Sequence, residues 1–84
     1  MARNADRELR FAAVQYVASV RRLDAALRAF EASDIPMDPG HGPEPLPWTP
    51  QHLQVMIEAA AAFNQVIARR RTWDALRREF GRPL

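Results

Sequence analysis

Six of the seven prolines lie between Pro36 and Pro50, and this cluster divides the chain into two stretches with helical character. Proline lacks a backbone donor and disfavours helical geometry at the residue before it, so no helix continues through such a segment. The pattern predicts a helix over about residues 5–32, a proline-rich strap over about 34–48 and a second helix over about 50–80. Eighty-four residues accommodate a single domain. We therefore expect an all-α, antiparallel two-helix hairpin with a proline-rich connector.

Capping signals support these boundaries. Asn4 is the predicted N-cap of the first helix, and Thr49, which precedes Pro50, is the predicted N-cap of the second. The first helix is expected to end near Ser33, ahead of the proline cluster. Gly81 is expected to follow the end of the second helix, because glycine adopts the left-handed geometry that often closes a helix.

The apolar residues of each helix predict which face meets the other helix. Alternating spacings of four and three are typical of a coiled-coil seam. In the first helix this spacing selects Leu9, Ala13, Tyr16, Val20, Leu23, Leu27 and Phe30. In the second helix the residues predicted to share a face are Leu53, Met56, Ala60, Phe63 and Ile67.

One hairpin offers too little interior for the large apolar side chains, of which the two helices carry nineteen. We therefore predict a homodimer that forms a four-helix bundle. The alternatives are that these side chains are scattered over the surface or cover an unknown protein partner. The predicted protein interface consists of Phe11, Val14, Val17, Val55, Ile57, Trp73, Leu76 and Phe80.

All twelve basic residues are arginine, and antiparallel folding gathers nine of them at the open end of the hairpin, against four acidic residues. Arginine binds phosphate groups well, so this end is a candidate for anion or nucleic-acid binding. The predicted contacts are Arg69, Arg70, Arg71, Arg77 and Arg78. The alternative is structural: Arg70 pairs with Asp74 one turn later, and Arg77 and Arg78 complement the helix dipole. A coding bias toward arginine also explains the composition.

Recognisable catalytic or metal-binding motifs are not found. The chain has no cysteine, two histidines (His41 and His52) without metal-ligand spacing, no nucleophile motif and no glycine-rich phosphate loop. We expect no enzymatic activity, no catalytic residue, no cofactor and no metal. No apolar run reaches the roughly 18 residues of a membrane span, and no secretory signal is visible, so a cytoplasmic location is expected.

Two functions follow from these features. The first is a protein-interaction or regulatory module whose partners are a second copy of the chain and an unknown protein. The alternative is a nucleic-acid-binding accessory protein that uses the arginine-rich open end. Residues 43–48 also resemble a proline-rich recognition peptide, although a connector between two helix ends has the same composition.

Overall fold

The computed structural model describes residues 4–36 and 48–80 of the chain. These residues form two helices, α1 (Ala5–Ala32) and α2 (Pro50–Phe80), which pack against each other along their length. Contacts join early residues of α1 to late residues of α2, so the helices are antiparallel. The predicted all-α hairpin is confirmed for this part of the chain. Neither described helix combines the length and the apolarity that crossing a membrane requires.

Both helices begin at the predicted caps. Asn4 has extended geometry, and its Oδ1 accepts a hydrogen bond from the Arg7 amide at 3.0 Å. At the start of α2, Thr49 Oγ1 accepts from the His52 amide at 3.1 Å, and His52 Nδ1 accepts from the Thr49 amide at 3.2 Å. This is a reciprocal capping box in which His52 takes the position usually held by glutamate or glutamine.

The end of α1 is also as predicted, with Ser33 as its C-cap. Asp34 follows with φ of +48°, the left-handed region that favours glycine, and its amide donates to the Glu31 carbonyl at 3.2 Å. The chain then turns Ile35 onto the end of the hairpin, where it is buried. Gly81, expected to close α2, lies outside the described residues.

A single hydrogen bond joins the two described ends of the strap. The Trp48 indole Nε1 donates to the Pro36 carbonyl at 2.7 Å, although the Trp48 side chain remains partly exposed. Ile35 lies buried at the end of the hairpin, and Trp48 is held there by its indole N–H. Leu46 lies outside the described residues together with the rest of 37–47.

The seam between the helices is built around small residues. Its members all lie buried or half-buried at alternating spacings of three and four. On α1 they are Leu9, Ala12, Tyr16, Ser19, Leu23, Ala26, Phe30 and Ser33. On α2 they are Val55, Ala59, Ala62, Val66, Arg69, Trp73, Leu76 and Phe80. Ala12, Ser19, Ala26 and Ala62 are the most buried of them, and the Ser19 hydroxyl is satisfied by donating to the Tyr16 carbonyl at 2.6 Å.

This seam corrects the predicted one. Of the seven residues predicted for α1, four belong to the seam: Leu9, Tyr16, Leu23 and Phe30. Ala13 is half-buried next to the seam residue Ala12. The prediction is wrong for Val20 and Leu27, which are 40% and 47% exposed. The residue immediately before each of them, Ser19 or Ala26, is the one that faces α2. Small side chains let two helix backbones approach closely, and the larger neighbours are then rotated out of the contact.

Candidate interaction surfaces

The hairpin has two different sides, and a polar network marks one of them. At 100° per residue, a side chain three positions after a seam residue turns to one side, and a side chain one position after it turns to the other. Arg22 lies three positions after Ser19, and Gln65 lies three positions after Ala62. Arg22 Nε and Nη2 donate to Glu58 Oε1 at 2.9 and 2.7 Å, and Arg22 Nη1 donates to Gln65 Oε1 at 2.9 Å. These contacts show that equivalent positions of α1 and α2 lie on the same side.

The opposite side carries large apolar side chains from both helices, and we call it the apolar face. Its members each follow a seam residue by one position, except Leu53, which lies one turn before Met56. They are Val17, Val20, Leu27, Leu53, Met56, Phe63 and Ile67. Phe63 is 55% exposed, and Leu53 and Val17 are each close to half exposed. The face is therefore a broad hydrophobic surface that the described residues leave uncovered.

The interior offers little compensation for this exposure. Among the described residues, the buried apolar side chains are Ala12, Ala26, Ala62 and Ile35, and no large side chain is fully buried. A seam of alanine and serine buries far less apolar area than leucine or phenylalanine would. Most of the large apolar side chains of α1 and α2 are thus half-buried in the seam or exposed outside it.

The residues predicted from sequence as a protein interface fall into two groups. Val55, Trp73, Leu76 and Phe80 belong to the seam, where they are half-buried against α1. The others are exposed: Val17 on the apolar face, and Phe11, Val14 and Ile57 turned away from it. Sequence reasoning assigned Val20, Leu27, Leu53 and Phe63 to the interior, and the structure places them on the surface. The small residues at seven-residue spacing, Ala12, Ser19 and Ala26, are the signal that identifies the true seam.

At the open end, arginines and aromatic rings form a layered cluster. The rings of Tyr16 and Trp73 stack with centroids 5.8 Å apart and an interplanar angle of 13°. Arg70 lies over Tyr16 at 5.8 Å from the ring centroid, and Arg77 lies over Trp73 at 4.7 Å. Asp74 pairs with both cations, at 3.2 Å from Arg70 and 3.9 Å from Arg77. The predicted Arg70–Asp74 pair is confirmed.

Arg70 is held by two neighbours. Its Nη1 donates to the Tyr16 hydroxyl at 3.4 Å and its Nε donates to Asp74. The hydrogen bond to Tyr16 and then the charge of Asp74 raise the pKa of Arg70. Arginine is protonated at all ordinary pH values, so the raised pKa leaves its charge unchanged. The two hydrogen bonds hold the guanidinium over the Tyr16 ring.

The remaining predicted anion contacts are scattered. Arg69 is half-buried in the seam, Arg71 is exposed, and Arg78 Nε donates to the Asp74 carbonyl at 3.3 Å. The structure thus brings Arg70, Arg77 and Arg78 together around Asp74. It leaves the five arginines without one shared cleft among the described residues.

No group of three or more histidine, aspartate or glutamate side chains is placed to hold a metal ion in residues 4–36 and 48–80. His52 caps α2, and His41 lies outside the described residues. Comparison with protein-family models, curated proteins and solved structures gives no match to the chain.

Proposed function

We propose that this protein is a small, non-enzymatic protein-interaction module that acts as a homo-oligomer, with two hairpins joined through the apolar face into a four-helix bundle. The observation that supports it best is the apolar face itself. Large side chains from both helices lie on one side of the hairpin, and the Arg22–Glu58 network lies on the other. A contiguous hydrophobic surface of this kind is typical of an interface rather than of a free surface.

The exposure of individual side chains supports the same proposal. Phe63 is 55% exposed, Leu27 47% and Leu53 45%, although all three are large and apolar. A second copy would cover these side chains and provide the buried large side chains that one hairpin lacks.

The test compares two phenylalanines under the same substitution. Phe63→Ser removes the most exposed aromatic of the apolar face, and Phe11→Ser removes one that lies away from it. We expect Phe63→Ser to weaken self-association by about 30-fold or more, in the range of an interface hot spot, and Phe11→Ser to leave it unchanged. Circular dichroism would confirm that both variants remain helical. Equal effects of the two substitutions would contradict the proposed interface.

Nucleic-acid binding is the second candidate, and the structure supports it less well. Arg70 and Arg77 are already paired with Asp74 and stacked on aromatic rings, so their charge is partly compensated. The substitution of Arg69, Arg71, Arg77 and Arg78 by glutamine tests this function. Salt-sensitive retention of a labelled oligonucleotide that the substitutions abolish would establish it, and absence of retention by the original protein would remove it.

A further inference from the structure

Charges along the apolar face are distributed unequally between its two ends. Four residues of α1 at seven-residue spacing form one line on this side: Arg10, Val17, Asp24 and Glu31. Arg10 lies toward the open end of the hairpin, and Glu31 lies toward the strap. Within the described residues, neither of these two exposed side chains has an ion-pair or hydrogen-bond partner.

We infer that the partner covering the apolar face is a second copy docked head to tail, with α1 antiparallel to its own copy and α2 antiparallel to its own copy. This orientation rests on the proposed homodimer. It adds that the open end of each hairpin meets the strap end of the other. It places Arg10 of each chain beside Glu31 of the other, so the same pair forms twice around a two-fold axis. Each unpartnered charge at the edge of the face thereby gains an opposite charge.

The pairing of Arg10 with Glu31 fixes a register that suits the apolar residues next to the axis. It also places Val17 opposite Asp24 of the second copy, a carboxylate that Arg28 pairs within its own chain. The two-fold axis then passes midway between these positions, next to Val20. Val20 meets Val20 of the second copy, and the small Ala13 lies opposite the large Leu27 of the second copy. Alternation of small and large residues across a contact is what close packing of two helices requires.

The second helix fits the same axis independently. Phe63 lies at about the level of Val20, because Arg22, two positions beyond Val20, is joined to both Glu58 and Gln65. Phe63 therefore meets its own copy at the axis. Three residues earlier, Ala60 lies opposite Ile67 of the second copy, again a small residue against a large one. One axis thus brings a small residue opposite a large one in both helices.

The opposite orientation, with the hairpins parallel, lacks this complementarity. It places α1 against α2 of the second copy and brings the two open ends together. Arg10, Arg70 and Arg77 of one chain then face the same arginines of the other, and Asp74 offsets only one of these three charges in each chain. Repulsion between like charges at a closed interface disfavours that arrangement.

Cysteine cross-linking distinguishes the two orientations, because the natural chain contains no cysteine. A disulfide requires Cα atoms about 4.4–6.8 Å apart. We expect Val20→Cys to form a disulfide-linked dimer with itself on mild oxidation, and Val14→Cys, the same change on the outward side of α1, to remain unlinked. The outcome that overturns the orientation is a dimer in which Val20→Cys links to a Phe63→Cys chain and not to itself.

Charge reversal gives a second test that needs no cross-link. Arg10→Glu and Glu31→Arg should each weaken the dimer, by roughly 2- to 30-fold for two symmetry-related surface pairs. The double variant should recover the original dissociation constant, because the pairs re-form with reversed sign. Within one hairpin the two residues lie at opposite ends, so recovery has no intramolecular explanation. Failure of recovery in a protein that is still dimeric overturns the orientation alone, whereas a monomer at every concentration overturns the proposed homodimer as well.

Discussion

Arg22 and Glu58 are joined across the hairpin by two hydrogen bonds to one carboxylate oxygen, at 2.9 and 2.7 Å. This pair shows which residues of α1 and α2 lie at the same level, and it also identifies the polar side of the hairpin. The apolar residues that follow Ser19 and Ala62 by one position must then lie on the other side. The Arg22–Glu58 network therefore lies on one side of the hairpin and the apolar face on the other.

The contribution of this pair to stability should be small. The two side chains are 41% and 49% exposed, so solvent screens their attraction. We expect Arg22→Met to lower the free energy of unfolding by no more than about 1 kcal/mol and to leave the molar mass in solution unchanged. Urea unfolding at one fixed protein concentration measures the change in the free energy of unfolding. Arg21→Met, the same change at a neighbouring exposed position, is the control; an equal loss there would show that the pair contributes nothing specific.

The small-residue seam makes a stronger prediction. Ala62 has no exposed surface, so a larger side chain there forces the helices apart. Ala62→Leu should destabilise the protein by about 1–3 kcal/mol, the range for overpacking a tight contact. Thermal unfolding followed by circular dichroism measures the change. Ala61→Leu adds the same atoms at the adjacent exposed position and should have little effect.

Sequence periodicity located the helices and their N-caps, but for α1 it selected the wrong one of two possible seam registers. Leu9, Tyr16, Leu23 and Phe30 belong to two possible registers. One adds the larger Val20 and Leu27, the other the smaller Ser19 and Ala26. Weighting by hydrophobicity favours the first register, whereas close approach of the backbones in the hairpin uses the second.

The start of α2 depends on its reciprocal cap. Thr49→Ala removes the side chain that accepts from the His52 amide and should cost about 0.5–2 kcal/mol of stability. His52→Glu keeps an acceptor for the Thr49 amide and adds a negative charge near the helix N-terminus, so it should stabilise by about 0.3–1 kcal/mol. Chemical unfolding of both variants provides the measurement. A gain from Thr49→Ala would show that the cap does not hold the helix start.

Asp34 offers a prediction about backbone conformation. Its φ of +48° is unfavourable for a residue with a Cβ atom, and its charge lies at the negative end of the α1 dipole. Asp34→Gly should therefore stabilise the protein, by about 0.4–1 kcal/mol from the backbone term. Asp34→Ala removes the same charge and keeps the Cβ atom. If the two variants are equally stable, the charge and not the φ angle is responsible.

The candidate surfaces were less predictable than the fold. The sequence correctly indicated surplus apolar residues, and it placed Arg70 beside Asp74. It gave no sign that Tyr16 and Trp73 stack on each other across the hairpin, because that contact joins residues 57 positions apart in the chain. The seam register also determines which apolar residues remain outside the interior. That register could be assigned only from the burial of Ser19 and Ala26 in the structure.

The molar mass of the unaltered protein in solution tests the central proposal most directly. Light scattering on the eluting peak, repeated over a range of micromolar concentrations, should give twice the 9.6 kDa of one chain, because two hairpins cover each other's apolar faces. A mass of 9.6 kDa at every concentration would contradict it. Such a result would mean that Val20, Leu27 and Phe63 remain exposed to water in the native protein.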